Sequence, residues 1–451
     1  HQPRSEQDHE GVHPCFIDAY ASDTHRQLFR YECFVRWLLP EFRMGMGADC
    51  SNDAGIILHH FPHLQEQEYV LKSFNHIFMK SRFFFFAALA VFCAQPMIAQ
   101  NKIVIPDTKD YLVLTGDMHM HTIFSDANVW PDTRVEECYV EGVEVLCITD
   151  HMEARHKRMV NQGLFNCDRN KSYEIAAKRG EQLGVIVIHG GEVTRRMPPG
   201  HFNVLFIDDV EPIAEVDDSY KDHLKGGMAS LAEARKQGSF NVWNHPHWAA
   251  QSPTGAIWHD AHSKIYDAGL MDGIEVYNSC DGFSMEAFQW CIDKNLALIC
   301  GTDAHKPMFM HLNGNAGELR PVTLIFAKEN SEEGVKEALN ARRTAVFADG
   351  RVYGSPELLK MLVDACLEVV SVTQSGNTTR VTLRNNSSIP MILKKGEGGE
   401  QAAYTSFNVI DPFETYTYGC TGLEYKTAVA VDSFVLSFDF ENFYTAPDQN
   451  F

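Results

Sequence analysis

The chain has 451 residues, with 39 Lys and Arg against 60 Asp and Glu and a net charge of −21. At 45 % hydrophobic and 22 % charged it has the make-up of an ordinary globular protein, which excludes collagen-like, coiled-coil and intrinsically disordered classes. A pI near 5.4 argues against a basic face that grips nucleic acid, and twelve Cys without a C-x-x-C argue against a disulfide framework.

In chain order, residues 1–78 show no clear periodicity and are read as a non-native or disordered upstream segment. Residues 79–100, MKSRFFFFAALAVFCAQPMIAQ, read as an export signal: Lys80 and Arg82 form a short positive region, Phe83 to Cys93 is an apolar run, and Ala99 is a small residue at a cleavage point. The run is shorter than the roughly 20 apolar residues of a membrane-spanning helix. The expectation is therefore an exported protein, periplasmic or extracellular, with no stable membrane insertion once the signal is removed.

From residue 111 to 327, short β-branched runs alternate with helical stretches. The strand candidates are Tyr111–Met120, Val143–His151, Val185–Val193, Phe202–Ile207, Phe240–His245, Gly273–Asn278, Leu296–Asp303 and Val322–Ala327. Thr133–Glu141, Tyr173–Leu183, Met228–Lys236 and Ser284–Lys294 read as helices between them. Such alternation predicts an α/β domain of parallel strands, with a closed barrel as the leading architecture over residues 101–350. A last helix is expected near Glu332–Arg343, capped by Asn330. After Asp349-Gly350 the pattern changes to short alternating runs separated by turns, which predicts a small antiparallel β-sandwich over residues 351–451.

The ligand-type side chains fall at strand ends. His119 and His121 are two apart at the end of the first strand, so they share a face, and Asp126 follows in the next loop. Asp150 and His151 end the second strand, and His151 is chosen as the one that reaches the site. Glu192 ends the third strand and His201 lies shortly after it. His245 ends the strand Phe240–His245, and Asp303 ends the strand Leu296–Asp303 with His305 two residues on. In an α/β barrel these ends converge on one mouth. Six His, two Asp and one Glu exceed the needs of one ion. They suit two or three divalent ions of Zn, Mn or Fe rather than Ca or Mg.

Taken together, His119-x-His121, Asp126, Thr149-Asp150-His151, Glu192, His201, Asn244-His245-Pro246 and Asp303-x-His305 resemble the motifs of the PHP (polymerase and histidinol phosphatase) superfamily over residues 111–345. The strings Arg195-Arg196-Met197-Pro198-Pro199-Gly200-His201 and Trp243-Asn244-His245-Pro246-His247-Trp248 resemble a secreted bacterial phosphodiesterase branch of the Sb-PDE type, which also carries a small β domain. The resemblance implies a distorted (β/α)7 barrel with a trinuclear metal centre. It assigns one ion to His119, His121, Glu192 and Asp303, and a second to Glu192, His201 and His245. The third goes to Asp126, His151 and His305. Ser125-Asp126-Ala127 departs from the family's usual Ser-Asp-Gly, and Thr302-Asp303 from a common Ser-Asp; no ligand is lost.

The chemistry expected of such a centre is attack on phosphorus by hydroxide bridging two cations, which also neutralise the phosphoryl oxygens. Glu192 would bridge the ions and Asp303 would accept the water's proton. Arg195 and Arg196 are candidates for binding the substrate phosphate through the guanidinium fork, and His156 is a further candidate. His247 is the candidate leaving-group acid. Asp117 and Asp150 are candidate partners that orient the imidazoles, while Trp243, Trp248 and Trp258 are expected in the core, with the wall of the pocket as the alternative. The expected activity is a metal-dependent phosphodiesterase acting on small organic phosphodiesters. A phosphomonoesterase and a nucleic-acid-associated module are the alternatives, and the sequence leaves the oligomeric state open.

Overall fold

The computed structural model describes residues 102–152, 169–218, 221–312, 318–397, 402–422 and 435–451. The export-signal reading of 79–100 and the substrate candidate His156 lie outside the described residues.

The first half contains β1 (Leu112–Met120), α1 (Pro131–Glu141), β2 (Val145–Ile148), α2 (Lys171–Leu183), β3 (Ile186–Val193), β4 (Phe202–Leu205), α3 (Glu211–Asp218), α4 (His223–Lys236), β5 (Phe240–Trp243), α5 (Asp260–Asp267) and β6 (Gly273–Asn278). Then come β7 (Gly282–Phe283), α6 (Met285–Lys294), β8 (Ala297–Gly301), α7 (Met308–His311), β9 (Val322–Ala327), α8 (Glu332–Asn340), β10 (Thr344–Ala348), β11 (Arg351–Tyr353) and α9 (Pro356–Cys366). The remaining strands are β12 (Leu367–Ser375), β13 (Thr378–Asn385), β14 (Met391–Lys395), β15 (Ala402–Ala403), β16 (Phe407–Ile410), β17 (Thr415–Gly422), β18 (Phe438–Phe440), β19 (Phe443–Ala446) and β20 (Gln449–Asn450).

Local chemistry sets several boundaries. Pro131 opens α1, where a missing N–H costs nothing, and Gly142 ends it at φ 75°, a left-handed turn that glycine adopts freely. Ser284 caps α6 by accepting the N–H of Ala287. At α8 the cap is Ser331, which accepts the N–H of Gly334, not the expected Asn330. Both residue types can cap, and the helix begins one residue later than the Asn330 reading requires.

Strands β1 to β11, with β19 and β20, form one thirteen-stranded sheet, ordered β20-β19-β11-β10-β9-β1-β2-β3-β4-β5-β6-β7, with β8 paired to β6. It is mixed, not uniformly parallel. β1, β2 and β3 run parallel, as do β5, β6 and β8. β4 is antiparallel to both β3 and β5, and β9 is antiparallel to β1. A parallel crossover needs about a dozen or more residues. The link 194–201 between β3 and β4 is too short for one, so the chain turns back. This reversal puts the start of β4 at the same end as the finish of β3 and β5, with Val193 opposite Phe202 and Phe202 opposite Trp243.

Apolar residues from these strands, among them Leu114, Met118, Cys147, Ile188, Leu205, Val242, Ile299 and Ile325, form one buried cluster. The expected β-rich C-terminal part consists of a four-stranded sheet, β12-β13-β17-β15, and a three-stranded sheet, β16-β14-β18. Val381, Leu383, Met391 and Tyr418 from these sheets share a core with Leu359, Leu362 and Cys366 of α9. The last strands return to the large sheet, where β19 pairs with β11. No helix among the described residues is long and apolar enough to cross a membrane.

Candidate metal centre

The polar site follows directly from the strand directions. β1 ends in Met118-His119-Met120 with His121 just past it, and an irregularity between Asp117 and Met120 shifts its register against β2. His151, just past β2, makes an isolated parallel bridge with Glu192 of β3. His201 immediately precedes the antiparallel β4, and its carbonyl accepts the N–H of Asn244 just past β5. His245 and Asp303, past β5 and β8, both have left-handed backbones, at φ 28° and 54°. Such conformations in non-glycine residues cluster where a site dictates the side-chain direction.

The nine side chains named from the strand ends lie together. Glu192 is fully buried at their centre. Its Oε1 is 2.8 Å from Nδ1 of His201 and 3.6 Å from Nε2 of His245. Its Oε2 is 2.6 Å from Nδ1 of His151 and 3.6 Å from Nε2 of His121. Asp303 Oδ1 is 3.0 Å from Nε2 of His121 and 3.4 Å from that of His119. Asp126 Oδ1 is 3.1 Å from Nε2 of His305 and 3.6 Å from that of His151. Among the described residues, three groups have donor atoms close enough to hold an ion: His121, Asp126, His151 and His305; His119, His121 and Asp303; and Glu192, His201 and His245.

The donors themselves fit cations. Nδ1 of His119 lies 2.8 Å from Oε1 of Glu275, and a proton on that nitrogen leaves Nε2 with a bare lone pair. That Nε2 faces Nε2 of His121 at 3.0 Å, so the two nitrogens share a proton or could share a cation. Nδ1 of His305 donates to the carbonyl of Asp303, which likewise frees its Nε2 toward Asp126. Glu192 Oε2 and His201 Nδ1 are buried without a properly directed hydrogen bond despite their short contacts. The mixed imidazole and carboxylate set suits Zn, Mn or Fe.

Without ions, the carboxylates draw positive charge onto some of the imidazoles as protons, which a metal ion would displace. Burial opposes charge on His119, but Asp303, Glu275 and Glu192 outweigh it and raise its pKa to about 10. Burial likewise opposes charge on His151, and Glu192 and Asp126 raise it to about 9. Burial and His151 lower His121 to about 4. Burial would raise the carboxyls of Glu192 and Asp303, yet the surrounding imidazoles hold both well below the usual carboxylate range. Packing so many ionisable groups together is costly unless opposite charge compensates them.

Around the nine lies a layer of orienting groups. Asp117, expected to orient an imidazole, instead accepts the N–H and hydroxyl of Thr302 at 3.0 and 2.7 Å, fastening β1 to the end of β8. Asp150 accepts from Thr122 and from the Ser125 hydroxyl, fixing the loop that leads to Asp126. Asp150 directly precedes His151 and so faces away from it, whereas Asp117 has the parity of His119 and is separated from it by the register irregularity that follows Asp117. The imidazole partner that sequence reasoning missed is Glu275 on β6, which also accepts the His245 N–H at 2.8 Å. Its only signal is a carboxylate inside the buried run Gly273–Asn278. Also missed is Arg134 of α1, fully buried, which donates to the carbonyls of His121, Ala304 and Lys306. Asn244 donates to Glu192, and the Gln251 amide lies 2.9 Å from Nε2 of His201.

Of the substrate candidates, Arg195 is buried, with its stem near Gly227 of α4, and Arg196 is exposed. His247 is half-buried, and its Nε2 donates to the carbonyl of Asp281 at 2.8 Å. Trp243 is a core residue, stacked on His262 and Trp290. Trp248 takes the alternative place rather than the core: it is half-buried and packs against the rings of His201 and His245 at 5.7 and 5.4 Å.

No protein-family model matches the chain, and no curated protein matches it. Among solved structures, it is similar to a two-domain protein from Bacteroides vulgatus containing a predicted PHP-like metal-dependent phosphoesterase. The identity is 34 %, over 78 % of this chain and 96 % of that one, with a TM-score of 0.69. A proposed metal-dependent phosphoesterase from Bifidobacterium adolescentis matches at 15 % identity over 50 % of this chain and 96 % of its own, with a TM-score of 0.34. An amidohydrolase from Chromobacterium violaceum matches at 15 % over 52 % and 97 %, with a TM-score of 0.32. The Bacteroides match spans nearly all of that protein, and the motif residues meet at one end of the sheet; the chain belongs to the PHP superfamily.

Proposed function

We propose that this protein is an exported metal-dependent phosphodiesterase of small organic phosphodiesters, built on a distorted (β/α)7 barrel with two or three divalent ions. The observation that carries the reading is Glu192, one buried carboxylate within 2.6 to 3.6 Å of His151, His201, His245 and His121. A bridging carboxylate belongs in that position. The kinship with the Bacteroides protein, whose description includes a metal-dependent phosphoesterase, supports hydrolysis of a phosphoester. The export-signal character of residues 79–100 supports a periplasmic or extracellular location. The motif around Arg195 and His247 supports the secreted phosphodiesterase branch.

When bound, divalent ions in these positions acidify water and neutralise charge on the phosphoryl oxygens. The protein's part is to hold them. Glu192 spans the groups on either side of it, so its two oxygens fix their spacing. Glu275 and the Asp303 carbonyl fix the His119 and His305 rings so that Nε2 faces inward. Asp303, with one carboxylate oxygen between His119 and His121, is the acceptor for the proton of the attacking water. Arg195, Arg196 and His156 are assigned to the substrate phosphate, and His247 to the alcohol side. The bridge Met120↔Ala304 between the ends of β1 and β8 supports barrel closure at this mouth.

The test is hydrolysis of bis(p-nitrophenyl) phosphate against p-nitrophenyl phosphate by metal-reconstituted protein. The reading expects faster turnover of the diester. Faster turnover of the monoester would make the protein a phosphomonoesterase of the same fold.

A further inference from the structure

β12 is the last strand of the four-stranded sheet, and only β13 pairs with it among the described residues. The outward N–H and C=O groups along its other edge have no strand there to meet. At nine residues it is about 30 Å long, and every residue after Leu367 is exposed. Edge strands are usually guarded against further pairing by a lysine, a proline or a very short run. This one has a single charge, Glu368, and one irregularity between Val369 and Ser371, and residues 369–379 carry no charge at all.

The side chains add a second feature. Residues directly opposite each other in an antiparallel pair share a face. Val369 lies opposite Leu383 and Val372 opposite Val381, and both β13 residues are buried in the core that holds Met391 and Tyr418. Val369 and Val372 are therefore on the core face, yet they are 60 % and 41 % exposed. The core face runs past its cover and ends as an apolar shelf beside an unpaired edge. Water satisfies the edge but not the shelf. A strand that brings apolar side chains at alternate positions satisfies both.

The charge pattern selects the occupant. A chain of net charge −21 repels its own copies, and least of all along an uncharged stretch. β12 is also self-complementary. Run antiparallel to itself in the register that keeps the two core faces together, it sets Val369 opposite Val372 of the other copy, twice about the two-fold axis. Glu368 then meets Thr373 rather than the other Glu368, and it keeps its own Arg384 at 3.8 Å.

We propose that β12 is a dimer interface, pairing antiparallel with β12 of a second copy and joining two four-stranded sheets into one. The inference is independent of the phosphoesterase reading.

Sedimentation velocity of the intact chain tests it. Wild type is expected as a dimer with a dissociation constant of about 10 µM or less, the weak end of a specific interface. Val369→Lys and Val372→Lys, each counted twice across the axis, are expected to raise that constant by at least about tenfold. Both side chains are exposed, so thermal unfolding is expected to stay as in wild type. Val369→Lys combined with Val372→Glu sets opposite charges face to face and is expected to recover the dimer. Val409→Lys is the control: it adds the same charge at an exposed valine of β16, in the other small sheet, and is expected to leave the dimer intact. A monomeric wild type at about 50 µM, with the edge left to water or to an unrelated chain, overturns the proposal. So does a dimer that survives both lysine variants, one that the opposite-charge pair does not recover, or one that Val409→Lys weakens as much.

Discussion

Glu275 lies 2.8 Å from the His119 ring and accepts the main-chain N–H of His245 with its other oxygen, so one buried carboxylate positions ligands from two strands. Glu275→Ala removes the ring's partner and leaves the His245 N–H unpaired. The expected result is a 10- to 100-fold loss of metal affinity, about the effect of losing a ligand's orienting partner, with Glu275→Gln recovering part of it. Competition titrations against a chromogenic chelator measure this.

Arg134 joins the ends of β1 and β8 through the carbonyls of His121 and Ala304, and reaches Lys306 as well. Arg134→Ala leaves these carbonyls without their donor and Glu137 without its ion-pair partner. A loss of about 3 kcal/mol or more is expected in chemical denaturation, because breaking a buried charged network costs about 3–5 kcal/mol. Arg134→Lys should recover only a fraction, since one ammonium cannot span the guanidinium's fork.

Gly301 is where β8 passes β1. A Cβ there would sit 2.3 Å from Cβ of His119 and 2.5 Å from Oε1 of Glu275, so nothing larger than hydrogen fits without moving both. Gly301→Ala is expected to cost about 1–3 kcal/mol, as overpacking does. It should also lower metal content, which a purely structural defect elsewhere in the sheet would leave alone.

Removing the ions should expose the cost of the bare site. Binding that saturates one site at about 100 times its Kd adds about 2.7 kcal/mol to stability. The chelated protein should therefore unfold at a lower temperature than the metal-loaded one in calorimetry, and adding Zn, Mn or Fe should restore it.

The nine clustered side chains were legible because strand-end placement and two-residue spacing put them on one face. His201 was legible as a candidate, but the sequence expectation had all strands parallel. The reversal at β4, forced by a short link, is what brings it beside His245. Glu275 was not legible: a lone carboxylate in a buried strand has no spacing signal, and its role comes from two partners distant in sequence. Arg134 was hidden for the same reason, since its acceptors are main-chain carbonyls that no motif records. Asp117 and Asp150 carried a motif signal, but Asp150 faces away from its neighbour His151 and a register irregularity follows Asp117, so their partners are Thr302, Thr122 and Ser125. For Trp248 core packing was the first expectation, while its place just past β5 puts it against the histidines. In the C-terminal part, turn spacing showed short strands, but nothing local marked the return of β19 to the large sheet.

The central claim is that the buried carboxylate of Glu192 and its ring of imidazoles hold several ions. Elemental analysis of the purified chain, before and after dialysis against chelator, tests it most directly. Two to three ions of Zn, Mn or Fe per chain are expected, with that number falling in Glu192→Ala and His119→Ala. Less than one ion per chain after reconstitution, or an unchanged count in Glu192→Ala, would contradict it.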